Sequence, residues 1–439
     1  MEKFKGKKLL ILGGAHMHTK LVKAAHELGA YVIVTDYLKD SPAKRVADKA
    51  YQINITDIDG IVKMCKEEKV DGVLSAYIDP CQRPYYKVCK ELNLPCFGTY
   101  EQFFTLTDKH AFKKLCLDNG VDIVPEYQEE QFTGNLDDSN VVYPVFVKPV
   151  DSRGSRGQSV CYTKSDVIKA IDFARKESSN GDILIERYME KCNEFQVTYF
   201  FIDGVPHLLR TADRHVGPEE LKLEKISVLT LSPSIYTNSY LNNAHEKVMN
   251  MFKNLGIKNG PVFMQGFVDG NKFRFFDPGL RFPGGEYENM YLQVFNISLM
   301  KEIVEFALTG KMPEISLPND SVLIKNGRIA IVFPTIKGGK ISKIIGREKI
   351  LSVDGILSMQ QRYVEGDEVP FCYNVNQRFA EIDLVAKNTV DLRNKVQFIY
   401  DNLHVLDENG NEMMFGQIKT ADIKDCVVDE KTKNKYLGE

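Results

Sequence analysis

Residues 143–160 read YPVFVKPVDSRGSRGQSV. A short apolar run ends on Lys148, and a loop of small residues follows in which Gly154 and Gly157 are interleaved with Ser152, Ser155, Arg153 and Arg156. Such a loop is either a flexible surface turn or a lid that closes over phosphate. The glycines leave backbone N–H groups free to wrap phosphate oxygens. The hydroxyls of Ser152 and Ser155 add donors, and Arg153 and Arg156 add charge-assisted ones. The loop alone does not choose between these readings; the residues at matched distances on either side of it do.

With 439 residues the chain exceeds one ordinary compact core, and two or three domains are expected. Its 57 Lys+Arg against 60 Asp+Glu leave a net charge of -3, without the basic excess of a nucleic-acid binder. The nine cysteines form no C-x-x-C pair and have no His at zinc spacing, so they read as reduced thiols. The opening MEKFKGKKLLILGG carries too short an apolar run for a secretory leader. No stretch approaches the roughly 20 apolar residues that span a bilayer. The expectation is a cytoplasmic protein with neither nucleic acid nor membrane as partner.

The first hundred residues alternate strand and helix patterns. KKLLILGG, AYVIVTD, VDGVLSA and LPCFGT read as strands, and HTKLVKAAHELG, IDGIVKMCKEEK and CQRPYYKVCKELN as helices. That alternation predicts a parallel sheet covered on both faces. The first turn, Gly13 to His18, lacks the G-x-G-x-x-G spacing of a dinucleotide site. It reads equally as part of a small-substrate site at the carboxyl ends of the strands or as a tight turn with two surface histidines.

After Asp108 the pattern changes. DKHAFKKLCLDNG and DVIKAIDFARKES are expected helices, and DILIERYME is a strand running into a connector. NEFQVTYFFIDG with VPHLLRTADR, and GPVFMQGFVDG with NKFRFFDPGLRFPGG, read as hairpins turning at Asp203-Gly204 and Asp269-Gly270. A layered antiparallel sheet with few helices follows from them.

Here the residues resemble the ATP-grasp superfamily. The resemblance rests on the order of Lys109 in TDK, Lys148 after YPVFV, the small-residue loop, Glu186 in LIERYM, and the strand end DPGLR. The pattern D-Y…S-P-A…A-D over Asp36–Asp48 is similar to the domain that precedes the grasp fold. The stretch from Ser321, with GGKISKIIG and YVEGDEVP, is similar to its C-terminal domain. The resemblance implies a multidomain α/β and α+β protein. A parallel-sheet pre-ATP-grasp domain would span 1–107 and a two-subdomain ATP-grasp fold 108–315, with its lid at about 125–190. A small β-rich C-terminal domain would span 320–425 and a polar, frayed tail 426–439.

The resemblance also implies ATP and Mg2+ as cofactors and assigns residues to them. Lys109 and Lys148 would meet the phosphates as point charges, under the lid formed by Ser152, Arg153, Gly154, Ser155, Arg156 and Gly157. Glu186, Arg187, Tyr188 and Met189 would form the hinge against the adenine, and Glu194 would reach the ribose. Asp277, Gly279 and Arg281 reproduce the i, i+2, i+4 spacing of the family's Glu, Asn and Arg, with Asp for Glu and Gly for Asn. Gln265 stands where the first metal-binding acid is usual, so Asp277 and Gln265 would hold the metal with one carboxylate fewer unless Glu286 or Glu288 contributes. An amide oxygen is still a ligand magnesium accepts.

Arg281, Lys148 and Arg214 are the catalytic candidates, Arg281 for charge on the transferred group. Arg210, Arg214 and His215 are candidates for holding an anionic substrate. The implied activity is an ATP-dependent ligase that activates a carboxylate as an acyl phosphate for attack by an amine or other nucleophile. Carbamoyl phosphate synthase-like and biotin carboxylase-like enzymes, or a non-catalytic nucleotide-binding scaffold, are the alternatives. The partners are then small-molecule carboxylate and amine substrates, with a homodimer as the candidate assembly.

PTIKGGKISKIIG and QRYVEGDEVP read as strands, TVDLRNKVQFIYDNL as a helix, and HVLDENGNEMMF as a closing hairpin.

Overall fold

The apolar run at the start is the strand Lys8–Leu12, buried at each residue from Leu9 on. It lies inside a four-stranded parallel sheet ordered Lys49–Tyr51, Tyr31–Thr35, Lys8–Leu12, Gly72–Leu74. The computed structural model describes residues 3–134, 136–150, 157–218, 221, 223, 226–284, 287–371 and 374–438. Ser152, Arg153, Gly154, Ser155 and Arg156 of the expected lid, and Glu286, therefore lie outside the described residues.

LPCFGT is not a strand. Asn93 stops the preceding helix in a left-handed conformation, and Leu94 N–H bonds back to the Cys89 carbonyl. Pro95 then has no N–H to give a ladder, so the segment runs as a loop that buries Phe97.

The middle of the chain builds two antiparallel sheets. The smaller is ordered Ser159–Cys161, Val145–Pro149, Ile183–Arg187. Helix Lys164–Glu177 covers one face, over a core that includes Val145, Val147, Ile171 and Ile185. Strand side chains alternate between faces, so Phe146, Lys148 and Glu186 are turned to the opposite face from this core.

The larger sheet has eight strands, each antiparallel to its neighbours. They run Lys272–Gly279, Gly260–Asp269, Asn193–Ile202, Val205–Val216, Ser227–Ser232, Arg328–Val332, Ala380–Ala386, Ile356–Gln361. Both expected hairpins are present in it. Its last three strands come from beyond residue 320, so the C-terminal strands extend the central sheet while burying a hydrophobic cluster of their own against helix Thr389–Asn402.

Two expectations about the C-terminus change. The strands of HVLDENGNEMMF are joined to each other only by a bridge between Leu406 and Glu412. His404–Asp407 pairs with Gly339–Ile345, and Met414–Phe415 with Thr335–Ile336. The tail is not frayed: Glu430–Tyr436 is helical, Asn242 donates to the Thr432 hydroxyl at 2.8 Å, and Val428 and Leu437 are buried. Among the described residues no helix is long and apolar enough to cross a membrane.

Candidate active site

One wall of the cleft gathers cations around a single buried acid. Lys109 begins the helix Lys109–Asp118, whose first turn is capped by the Asp108 side chain accepting from Ala111 N–H at 2.9 Å. Lys113 lies one turn on and so shares its face. Its Nζ donates at 2.6 Å to Glu186 and at 2.6 Å to Glu126, and Lys148 Nζ sits 2.6 Å from the other oxygen of Glu186. Burial pushes the Glu186 carboxyl up, but Lys148 and then Lys113 outweigh it and hold the group below its ordinary value. Lys109 is pushed down, by burial first and then by Lys148. Glu186 thus has both oxygens committed to lysines instead of standing open to an adenine edge.

The hinge is tied down beside this cluster. Arg187 donates to Asp269 at 2.8 Å, and Arg274 shares that carboxylate at 2.7 Å, pinning the hinge to the Asp269-Gly270 turn. The rings of Phe146 and Tyr188 lie 5.7 Å apart and Met189 is buried, so the segment offers an apolar wall. Gly157 has φ +71°, and a Cβ there would come 2.7 Å from Pro149 Cγ. The end of the expected lid thus requires glycine.

The opposite wall is the hairpin Gly260–Asp269 and Lys272–Gly279. Gln265 pairs directly with Asp277 in register and with Gln196 on its other side. Gln265 Nε2 donates to Glu194 at 3.2 Å, which leaves its amide oxygen for the cleft. Asp277 opens on the cleft with no hydrogen-bond or ion-pair partner among the described residues, and its carboxyl is pushed up by burial between the cleft walls and then by Asp79. Gly279 stands where a side chain has no room, since a Cβ would lie 2.5 Å from the Phe263 ring.

Glu194, expected on a ribose, is instead ion-paired with Arg214 directly across the ladder. Arg281 is held by Asp79 through Nε at 2.5 Å and Nη2 at 2.6 Å, while Nη1 donates to the Phe282 carbonyl at 2.9 Å. Arg210 is fully buried, with Nε donating to Ser232 and the guanidinium 4.8 Å from the Tyr287 ring centroid, so it does not reach a substrate. His215 is likewise withdrawn; its Nε2 is buried and the ring is pushed down by burial.

Gln265, Asp277, Arg281 and Arg214 line one cavity of about 270 Å³ with Arg362 and Arg378, which flank the C-terminal strands Ile356–Gln361 and Ala380–Ala386. Arg378 donates to the Ser227 carbonyl at 3.0 Å and lies 4.2 Å from the Phe333 ring centroid. Burial, then Arg214 and Arg362, push it down to about 10. Guanidinium groups this close repel one another, and an anion between them removes that penalty.

Two family models match the chain: "PylC-like, N-terminal domain" over residues 9–82 and "Carbamoyl-phosphate synthase L chain, ATP binding domain" over 108–260. The fold is that of phosphoribosylglycinamide synthetase from Anaerococcus prevotii, at 18% identity with 92% of this chain and 100% of that one covered, TM-score 0.72. The L-amino acid ligase from Bacillus licheniformis superposes over the same shares at 17% identity, also with TM-score 0.72. The chain belongs to the ATP-grasp superfamily.

Among its curated ATP-grasp relatives, the formate-dependent phosphoribosylglycinamide formyltransferase of Sulfurisphaera tokodaii is 24% identical over 381 residues, covering 80% of this chain and 86% of that one. The same-named protein of Histophilus somni is 23% identical over 193 residues, and the match spans about half of its length, 48%.

For an ATP-grasp protein the donors on the hairpin fit magnesium. They are oxygens, a carboxylate without a partner and an amide turned to the same space. No group of three or more His, Cys, Asp or Glu gathers among the described residues to close a cage. Magnesium keeps several waters and takes few protein ligands. Glu288, considered as a further ligand, lines a neighbouring cavity instead.

Lys113, Asp79, Arg362 and Arg378 were not singled out from the sequence. Only Lys113 had a local signal, its spacing of four from Lys109.

Proposed function

We propose that the chain is an ATP-dependent ligase that converts a small-molecule carboxylate to an acyl phosphate, which an amine then attacks. The observation that carries this reading is the distribution of charge around one cleft. Lysines crowd the lid-side wall, an unpartnered carboxylate beside an amide oxygen faces them, and arginines converge on the floor.

Lys109 and Lys148 bind the β- and γ-phosphates, with Glu186 and Lys113 fixing the position of Lys148. The hydroxyls and arginines of residues 152–157 would add donors for the phosphates, as the sequence implies. Phe146, Tyr188 and Met189 wall the base. Asp277 and Gln265 would hold magnesium, which would neutralise phosphate charge. Arg214 and Arg378 orient the substrate carboxylate so that its oxygen meets the γ-phosphorus in line. The chemistry then needs mainly positioning and charge neutralisation. Arg281, held by Asp79, presents charge to the acyl phosphate. The proposed setting is the cytoplasm, and the proposed assembly a homodimer.

The test is ATP and magnesium with hydroxylamine and a panel of small carboxylic acids, assayed for ADP and hydroxamate. An acid that yields both in equal amounts supports ligase chemistry. If no acid yields either, the reading fails. Gln265 in place of an acid favours a second reading, a nucleotide-binding scaffold without turnover. That reading holds if the natural chain is silent and Gln265→Glu restores ADP release.

A further inference from the structure

A second cavity of about 330 Å³ adjoins the cleft and shares Met17, Arg362 and Glu381 with it. Met17, Tyr77 and Met300 give it an apolar wall. Its acids lack partners to an unusual degree. Both carboxylate oxygens of Glu288, 2% exposed, have no hydrogen-bond partner among the described residues, and neither has Oε1 of Glu381. Burying a carboxylate without a partner costs several kcal/mol, a cost that a cationic donor entering the cavity offsets.

Two native cations lie nearby. Lys20 Nζ is 3.9 Å from Asp383, and Arg362 turns Nη1 to the Val375 carbonyl at 3.0 Å. Burial pushes Glu288 up to about 8 and, with Asp383 next, Glu381 up to about 7, against the opposing effects of Arg378, Lys20 and Arg362 on Glu381. A carboxylate poised near neutrality is suited to accept a proton.

We propose that this cavity receives the amine substrate as an ammonium, between Glu288 and Glu381, and that Glu381 is the base that frees its lone pair for attack on the acyl group in the adjoining cleft. The inference rests on the ligase reading above. In the step, R–NH3+ gives one proton to the Glu381 carboxylate. The nitrogen lone pair forms the C–N bond, the C–O bond to phosphate breaks, and its electron pair leaves on the phosphate. The second nitrogen proton leaves with that phosphate, giving amide, hydrogen phosphate and protonated Glu381.

The experiment takes an acid that supports hydroxamate formation and compares two nucleophiles on the natural chain, Glu381→Gln and Glu288→Gln. Hydroxylamine is a free base at neutral pH; ammonium, or a small primary amine, must first lose a proton. In Glu381→Gln, amide formation from ammonium should fall by about 100-fold or more, as for loss of a general base. Hydroxamate formation should stay within about threefold, and the rise of the amide rate with pH through neutrality should disappear. Glu288→Gln should raise the KM for the amine and leave that for ATP unchanged.

Equal losses for both nucleophiles, or none, would overturn the role of Glu381. A natural chain that makes hydroxamate but no amide from ammonium or any amine tested overturns the amine cavity and leaves the ligase reading standing. A chain that makes neither product sinks the ligase reading itself. Because Glu→Gln preserves shape, thermal unfolding of each variant near that of the natural chain separates chemistry from folding.

Discussion

Glu186→Gln probes the lysine-rich wall directly. Glu186 is 6% exposed and accepts from Lys113 and Lys148 at 2.6 Å each. A charge-assisted hydrogen bond contributes roughly 1.5–3 kcal/mol, and breaking a buried ion pair costs about 3–5 kcal/mol because the remaining charge is stranded. The full figure does not apply here, since Lys113 keeps Glu126 and Lys148 is partly open to the cleft. A loss of about 3 kcal/mol is expected from these magnitudes. The sign with pH follows from the lowered Glu186 value. Its contribution is complete above the ordinary glutamate range and is lost as pH falls through the folded-state value, so the acid limb of the stability curve should be shallower in Glu186→Gln. Denaturant unfolding of Glu186→Gln, Lys148→Met and the double variant measures the coupling, expected at about 1.5–2 kcal/mol for a partly buried pair. If Glu186→Gln costs under about 0.5 kcal/mol, a surface-like value, and the coupling is nil, the wall is not organised by this carboxylate.

Gly157→Ala should destabilise by about 2 kcal/mol, from positive φ and the approach to Pro149, and should weaken ATP binding measured by calorimetry. Arg153→Ala or Arg156→Ala should weaken ATP binding and leave the unfolding midpoint near that of the natural chain; lost stability with unchanged affinity would return the loop to an ordinary turn. Gln265→Glu should lower the magnesium concentration needed for ATP binding, and that requirement should rise as pH falls through the raised Asp277 value. His18, buried against Tyr77, is pushed down to about 4 by burial. The unfolded chain therefore takes up this proton first as pH falls from 6.5. Stability should drop by about 3 kcal/mol between there and 4, a slope that His18→Asn should flatten in acid titrations of unfolding.

The legible parts of this chain were those with a local cause. Hairpins at Asp203-Gly204 and Asp269-Gly270 announce themselves by alternation and turn residues. Lys109, Lys148, Asp277 and Arg281 follow a spacing along the chain. What was illegible depends on residues far apart in sequence. Asp79 holds Arg281 across 202 positions, and Arg378 donates to Ser227 across 151. Polarity hid the docking of the tail, because two apolar anchors, Val428 and Leu437, carry it. The histidines of the first turn looked alike, yet His16 is exposed at the second cavity and His18 is buried, since the helix His18–Glu27 turns the second inward.

The central sheet explains why those distant residues meet. Phe267, Glu194, Arg214, Thr230, Ile331 and Asp383 are successive partners across six strands, and Asp383 is followed by Ser358. Directly opposed residues of an antiparallel ladder share a face, so Glu194, Arg214 and Asp383 project to one side. Glu381, two residues before Asp383, joins them. Arg214 and Asp383 stand three strand spacings apart, about 15 Å of backbone. Long side chains reaching inward across that span leave room for two small reactants side by side. The C-terminal strands therefore do more than close the protein: by continuing the sheet they bring Arg378 and Glu381 to the cleft. A chain cut before Arg328 would keep the lysines and Asp277 while lacking Arg378 and Glu381, proposed above to handle the two small substrates. Under the proposed chemistry, that division would give nucleotide binding to the middle of the chain and nucleophile choice to its C-terminal strands.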